Sequence, residues 1–95
     1  MIERYRILAE DSGYTVPAIG SEVMFRAVSA VDATSPIYNI PVFITATDPT
    51  WGPRFNRIEG FYTDDSGEHA VLGFHRIGET ARDFVGLIEI HRDET

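Results

Sequence analysis

Apolar and polar positions alternate in short runs along most of the chain, and glycine, proline, aspartate or serine separates one run from the next. Alternation with a period of two is typical of strands with one buried face, and no stretch shows a convincing 3.6-residue period of an amphipathic helix. The sequence therefore predicts about seven antiparallel strands, arranged as a sandwich or a barrel. The segments that the pattern predicts as extended are 2–9, 14–16, 22–31, 42–47, 55–63, 69–75 and 83–91.

The alternation also predicts which side chains of each segment share a face. The positions predicted to share a face are Val23, Phe25, Ala27, Ser29 and Val31, then Val42, Ile44 and Ala46, and finally Phe84, Ile88 and Ile90. In the segment 69–75, the positions predicted to point inward are Ala70, Leu72 and Phe74. The register of the last strand stays open, because Phe84, Val85 and Leu87 supply apolar residues to both faces.

The strongest turn signal lies at Asp64-Asp65-Ser66-Gly67. Glycine can supply the positive φ that a tight hairpin requires, and aspartate and serine are common turn residues. We therefore expect a hairpin between the segments 55–63 and 69–75. The longest loop is predicted at 48–53, which contains two prolines and a glycine.

The stretch 20–90 resembles a bacterial immunoglobulin-like domain of the invasin/intimin repeat type. The resemblance rests on the opening strand at 20–28, the proline-led strand at 41–47, the turn at 63–67 and the closing element at 78–90. It implies an immunoglobulin-like antiparallel β-sandwich that acts as a spacer or adhesive module and not as an enzyme. The fold that we expect is this all-β sandwich.

Composition narrows the class of protein further. The chain has 95 residues, 43% of them hydrophobic, which is enough for one domain over 1–95 with a buried core. The net charge is −7 and every basic residue is arginine, so we expect neither a nucleic-acid-binding face nor attachment to an anionic membrane surface. No run approaches 18 apolar residues, and charges from the third residue onward are untypical of a signal peptide. The absence of cysteine excludes disulfides and thiolate metal sites.

Three histidines are the obvious candidates for metal binding. His69 and His75 are six residues apart on one strand, roughly 20 Å, and cannot share an ion. His75 and His91 would be neighbours if the last two strands pair as a hairpin, with Glu89 on the same face. Two histidines and a carboxylate form a set that metals accept. We nevertheless expect solvent-facing histidines, and neither a metal nor another cofactor.

Acidic residues around the predicted turn offer hard oxygen ligands. Asp64, Asp65 and Glu68 could recruit calcium, although they lack the spacing of an EF-hand loop. Acidic side chains at turns more often accept hydrogen bonds from nearby backbone amides. The sequence contains no nucleophile elbow, phosphate loop or His-Glu-x-x-His motif, so we do not expect an enzyme.

The most plausible contact surface for a partner is formed by Trp51, Arg54, Phe55 and Arg57. Tryptophan and arginine are enriched among interface hot spots, and this is the only tryptophan of the chain. The alternative is that Trp51 or Phe55 folds under the loop and closes one end of the sandwich.

The segment 2–9 is a second candidate for association. We favour it as the first strand of the domain. Otherwise it could add to a sheet edge of a neighbouring subunit, which would give a homo-oligomer.

These features predict a non-catalytic structural protein that binds a protein partner. The assembly that we expect is a virion, with the protein decorating a phage or archaeal-virus capsid or tail. The alternative is one repeat of an adhesin or invasin-like stalk at the cell surface. A metal-binding regulator or enzyme is the third possibility, and it depends on His75, Glu89 and His91.

Overall fold

A computed structural model describes residues 1–10, 15–49, 55–76 and 85–92. These residues contain six strands: β1 (Ile2–Glu10), β2 (Glu22–Ser29), β3 (Tyr38–Pro49), β4 (Phe55–Asp64), β5 (Gly67–Arg76) and β6 (Gly86–His91). Each strand pairs antiparallel with the next along the chain, and β6 pairs with β1, so the sheet closes into a barrel.

The predicted sandwich of about seven strands is therefore wrong, although the all-β class is confirmed. In a sandwich, two open sheets face each other, whereas here β1 lies between β2 and β6. Tyr5 is opposite Ser29 on one side and Ile88 on the other. Thr15 and Val16, from the predicted segment 14–16, belong to no strand, and Tyr14 lies outside the described residues. Segment 2–9 is confirmed as part of the first strand, and the barrel uses both of its edges.

Glycines that face the interior let this narrow barrel close. Gly60, Gly73 and Gly86 are buried on β4, β5 and β6. Gly73 lies directly between Ile58 and Ile88, and a Cβ atom there would be 2.5 Å from the carbonyl oxygen of Leu87. The missing side chains provide the space that the neighbouring isoleucines fill, which is the alternation of small and large residues found in small barrels.

Two β-bulges change which side chains face inward. One lies at Leu8, because Ile7 is opposite Ala27 while Ala9 is opposite Arg26. The extra residue reverses the alternation and turns Glu10 toward the interior. A second bulge lies between Ile44 and Ala46 of β3. It places Ala46 opposite the outward-facing Glu59, so the prediction that Ala46 shares a face with Val42 and Ile44 is wrong.

The core fills the interior of the barrel with branched apolar side chains, one phenylalanine and one alanine. Its buried members are Ile7, Val23, Phe25, Ala27, Ile40, Val42, Ile44, Ile58, Val71, Val85, Ile88 and Ile90. The predicted shared faces are confirmed, and they are the buried ones, at Val23, Phe25 and Ala27 of β2, at Val42 and Ile44 of β3, and at Ile88 and Ile90 of β6. Ser29 is half-buried, Val31 is exposed, and Phe84 lies outside the described residues.

The face predicted for β5 is wrong. His69, Val71, Gly73 and His75 are buried, and Ala70, Leu72 and Phe74 lie on the other face of the strand. Apolarity favoured the second set, but the space beside Ile58 and Ile88 accepts only a glycine. Leu72 and Phe74 consequently lie on the outside of the barrel.

The expected hairpin between β4 and β5 is confirmed. Asp64 is opposite Gly67, which has a φ of 117°, so the turn is Asp65-Ser66. At the same end of the barrel, the amino group of Met1 donates a hydrogen bond to the carbonyl oxygen of Arg92 at 3.0 Å. We call this the hairpin end. The opposite end contains Glu10, Asn56 and His75.

Candidate functional sites

The predicted contact residues fall only partly within the described structure. Trp51 and Arg54 lie outside the described residues, and Phe55 begins β4 opposite Arg76. Arg57 lies on the outer surface, where its NH1 group is 2.6 Å from Oε2 of Glu59. The contact surface formed by these four residues therefore remains a prediction, and Arg57 is the one of them whose side chain the structure describes.

The proposed grouping of His75, Glu89 and His91 is wrong. The last two strands do pair, but His75 is opposite Gly86 inside the barrel, whereas His91 is opposite Ala70 on its outside. Nε2 of His91 is 3.4 Å from Oε1 of Glu89, and His75 lies on the other face of the sheet. Within the part of the chain that the structure describes, no three histidine, aspartate or glutamate side chains form a group that could hold a metal.

The acidic turn is bonded to the chain itself. Oδ2 of Asp64 accepts a hydrogen bond from NH1 of Arg92 at 2.8 Å, and Oδ1 accepts two from the backbone and hydroxyl groups of Ser66. Asp65 and Glu68 are exposed. Asp64 is therefore neutralised by an arginine and is poorly suited to join the other two around calcium.

Arg92 connects this turn to the first strand. Its Nε donates to Oε1 of Glu3 at 2.8 Å, and the hydroxyl of Tyr5 donates to the same oxygen at 3.2 Å. Hydrogen bonds from Arg92, and then from Ser66 and His69, hold the pKa of Asp64 well below its usual range. Hydrogen bonding to Glu3 and Asp64 raises the pKa of Arg92. Burial, followed by the charge of Glu3, raises the pKa of Tyr5 to about 12.

This hairpin-end network contains a serine, a histidine and an aspartate but lacks the geometry of a catalytic triad. Ser66 Oγ and Asp64 Oδ1 both lie 3.0 Å from the same ring nitrogen, Nε2 of His69. In a triad, the serine and the carboxylate contact opposite nitrogens of the imidazole. The Ser66 hydroxyl also lies 2.8 Å from Asp64, within hydrogen-bonding distance. The network is suited to holding the first strand, the last strand and the hairpin together.

A second polar cluster lies inside the barrel at its opposite end. Nδ1 of His75 is 3.2 Å from Oε1 of Glu10, and both side chains are fully buried. Asn56, directly opposite His75 on β4, is 3% exposed, and its Nδ2 has no hydrogen-bond partner among the described residues. Buried polar groups are costly and often mark functional sites. Sequence reasoning missed Glu10 because only the bulge at Leu8 turns it inward.

The outer surface carries apolar side chains on β3 to β6. Phe43 and Phe61 are directly opposite each other and are 47% and 39% exposed. Beside them, a groove of about 280 Å³ crosses the outside of β5 and β6. Its lining residues are Arg4, Arg57, Leu72, Gly73, Phe74, Leu87, Ile88 and Glu89. Sequence reasoning missed this groove because it placed Leu72 and Phe74 in the core.

Comparisons with protein-family models, curated proteins and solved structures find no match to this chain. They therefore add no support to the resemblance to invasin-type repeats. Among the described residues, there is no helix of the length and apolarity needed to span a bilayer.

Proposed function

We propose that this protein is a non-catalytic binding module that attaches to a protein partner in a larger assembly through the outside of its barrel. The observation that carries the proposal is the exposed pair Phe43 and Phe61 on a barrel whose interior is already filled. Exposed apolar side chains that lie together are typical of surfaces that another molecule covers. Aromatic side chains contribute large contact areas to such interfaces.

The closed sheet limits how attachment can occur. Within the described strands each edge is already paired, so a partner cannot add a strand to the barrel. Side chains on the outer face remain available for attachment, which suits an accessory subunit that binds a lattice built by other proteins. A virus capsid or tail is the assembly that we propose first. The alternative is one repeat of an adhesin-like stalk at the cell surface.

The proposal predicts that the exposed phenylalanines are needed for attachment and not for folding. Phe61→Ser should weaken attachment roughly 5- to 30-fold, because about 1–2 kcal/mol of apolar contact is lost. The measurement is co-sedimentation of added recombinant protein with particles and with cell envelope purified from the native source, quantified by immunoblot. Val31→Ser is the matched control, since Val31 is 89% exposed and follows β2 at the hairpin end.

Circular dichroism melting curves would check that Phe61→Ser stays folded. Attachment by the folded Phe61→Ser variant at the wild-type level would contradict the proposal, as would wild-type protein that sediments with neither fraction. Sedimentation with the envelope but not with particles would place the assembly at the cell surface instead of in a virion.

A further inference from the structure

The groove lies between two arginines and has an apolar floor, one apolar wall and a second wall that contains Glu89. The backbones of Gly73 and Ile88 are opposite each other between two rows of outward side chains. Phe74 and Leu87 form one row, and Leu72 pairs with Glu89 in the other. A volume of about 280 Å³ is slightly below that of a typical small-molecule pocket, so it suits an inserted side chain better than a large ligand.

Both arginines retain donors for a ligand. Arg4 uses Nε to contact Glu89 at 2.9 Å, and Arg57 uses NH1 to contact Glu59 at 2.6 Å. Their side chains are 55% and 47% exposed, and the described residues make no other hydrogen bond or ion pair with either guanidinium. A guanidinium has five N–H donors in a planar fork that fits a carboxylate. Each arginine can therefore bind a carboxylate while it keeps its glutamate.

We propose that this groove binds an extended segment of a partner protein in which one apolar side chain is flanked by two acidic side chains. The inference rests on the proposed function and specifies the chemistry of the partner. The apolar side chain enters the groove above Gly73, and the two carboxylates bind Arg57 and Arg4.

The spacing of the strands agrees with this occupant. Arg57 lies on β4 and Arg4 on β1, with β5 and β6 between them. Three strand spacings correspond to about 14 Å across the sheet, and the register offsets Arg4 from Arg57 by two residues, about 7 Å along the strands, so the two backbone positions are about 16 Å apart. In an extended peptide, residues i, i+2 and i+4 point to one side, and i and i+4 are about 13 Å apart. The segment therefore has the pattern acidic, any residue, apolar, any residue, acidic.

The net charge of the protein gives this pattern specificity. With a charge of −7, most of the surface disfavours an acidic segment. Repulsion between like charges disfavours binding of an acidic segment elsewhere on the surface. Such a segment therefore binds where an arginine lies at each end of the groove.

The test is fluorescence anisotropy with a fluorescein-labelled peptide whose core is glutamate–threonine–leucine–threonine–glutamate. We expect saturable binding to the wild-type protein. Arg4→Gln and Arg57→Gln should each weaken it about two- to fivefold, as expected for exposed ion pairs. Leu87→Ser, or a peptide with serine in place of leucine, should weaken it about tenfold or more. Arg26→Gln is the control, because Arg26 is an exposed arginine on β2 outside the groove.

Melting curves establish that each variant is folded. Equal binding of a peptide with lysines in place of both glutamates would overturn the inference, and so would unchanged affinity in the doubly substituted arginine variant. A wild-type dimer that Leu87→Ser converts to monomer in analytical ultracentrifugation would assign the groove to a second copy, which also overturns it. Wild-type protein that sediments with its assembly but does not bind the peptide would refute this inference alone and leave the proposed function standing.

Discussion

At the scale of single residues, Asp64 makes the most concentrated set of contacts at the hairpin end. It accepts hydrogen bonds from Arg92 and Ser66, and its Oδ1 is 3.0 Å from Nε2 of His69. Because Arg92 in turn contacts Glu3, one aspartate connects the β4–β5 turn to both strands that close the barrel. Protonating or removing this carboxylate should therefore loosen the closure.

The lowered pKa of Asp64 predicts a loss of stability in acid. Hydrogen bonds from Arg92, Ser66 and His69 favour the charged form in the folded protein. The stabilisation is therefore complete above the ordinary aspartate pKa of about 4 and is lost as the pH falls toward the folded-state pKa. Asp64→Asn should lower the urea midpoint at pH 7 and reduce the further decline between about pH 4 and pH 2.

Asp65→Asn is the matched control, because Asp65 is exposed in the same turn. Urea unfolding of the three proteins at several pH values measures the effect. The prediction fails if Asp64→Asn and the wild-type protein lose stability in parallel over the acid range, or if Asp65→Asn has the larger effect at pH 7.

At the scale of the strand, the inward glycines determine how β4, β5 and β6 pack. Gly73→Ala should destabilise the protein by about 1–3 kcal/mol, because the new methyl group would overpack against the backbone of Leu87 and against Ile88. Ala70→Ser on the same strand adds one atom at an exposed position and should change stability by less than about 0.5 kcal/mol. Urea unfolding measures both, and equal effects of the two substitutions would contradict this account of the core.

The strands also show how far the sequence alone could predict the structure. The alternation of β2 and the glycine at position 67 indicated a strand and a hairpin correctly, because both signals are local. The bulge at Leu8 reversed the alternation in the middle of a strand, so Glu10 could not be assigned to the interior. The face of β5 depended on the space beside Gly73, which is set by residues on β4 and β6.

The candidate sites were less predictable than the strands for the same reason. Arg57 was identified from its residue type, but Arg4, Leu72 and Leu87 come together only through the pairing of β4, β5, β6 and β1. The pair of Glu10 and His75 likewise joins strands that are distant in sequence. Cross-strand neighbours of this kind are defined by register, which a single sequence specifies weakly.

At the scale of the whole molecule, closure separates a barrel from a sandwich. Both folds alternate inward and outward residues along antiparallel strands, so the pattern of the sequence is the same for either. The pairing of β1 with β6 distinguishes the two folds here. In the sequence, the indication of a narrow barrel was the set of three glycines that face inward on consecutive strands. The principal extents of the molecule are 38 × 31 × 21 Å, so its broader sides offer surface for a partner.

Closure also predicts that the chain tolerates a new pair of ends. Met1 and Arg92 exchange two backbone hydrogen bonds, of 3.0 and 2.8 Å, so the first and last strands meet at the hairpin end. A circular permutant that joins the present ends through a short glycine linker, and opens the chain between the exposed Pro36 and Ile37, keeps all six strand pairings. It should unfold cooperatively in urea with a free energy of unfolding lower by no more than about 2 kcal/mol, because the entropic cost of closing a loop depends only weakly on its length.

Deleting residues 1–9 instead removes β1 and leaves β2 and β6 with open edges, so that variant should lose cooperative unfolding or aggregate. A permutant without cooperative unfolding, or a truncated protein as stable as the wild type, would refute closure through β1 and β6.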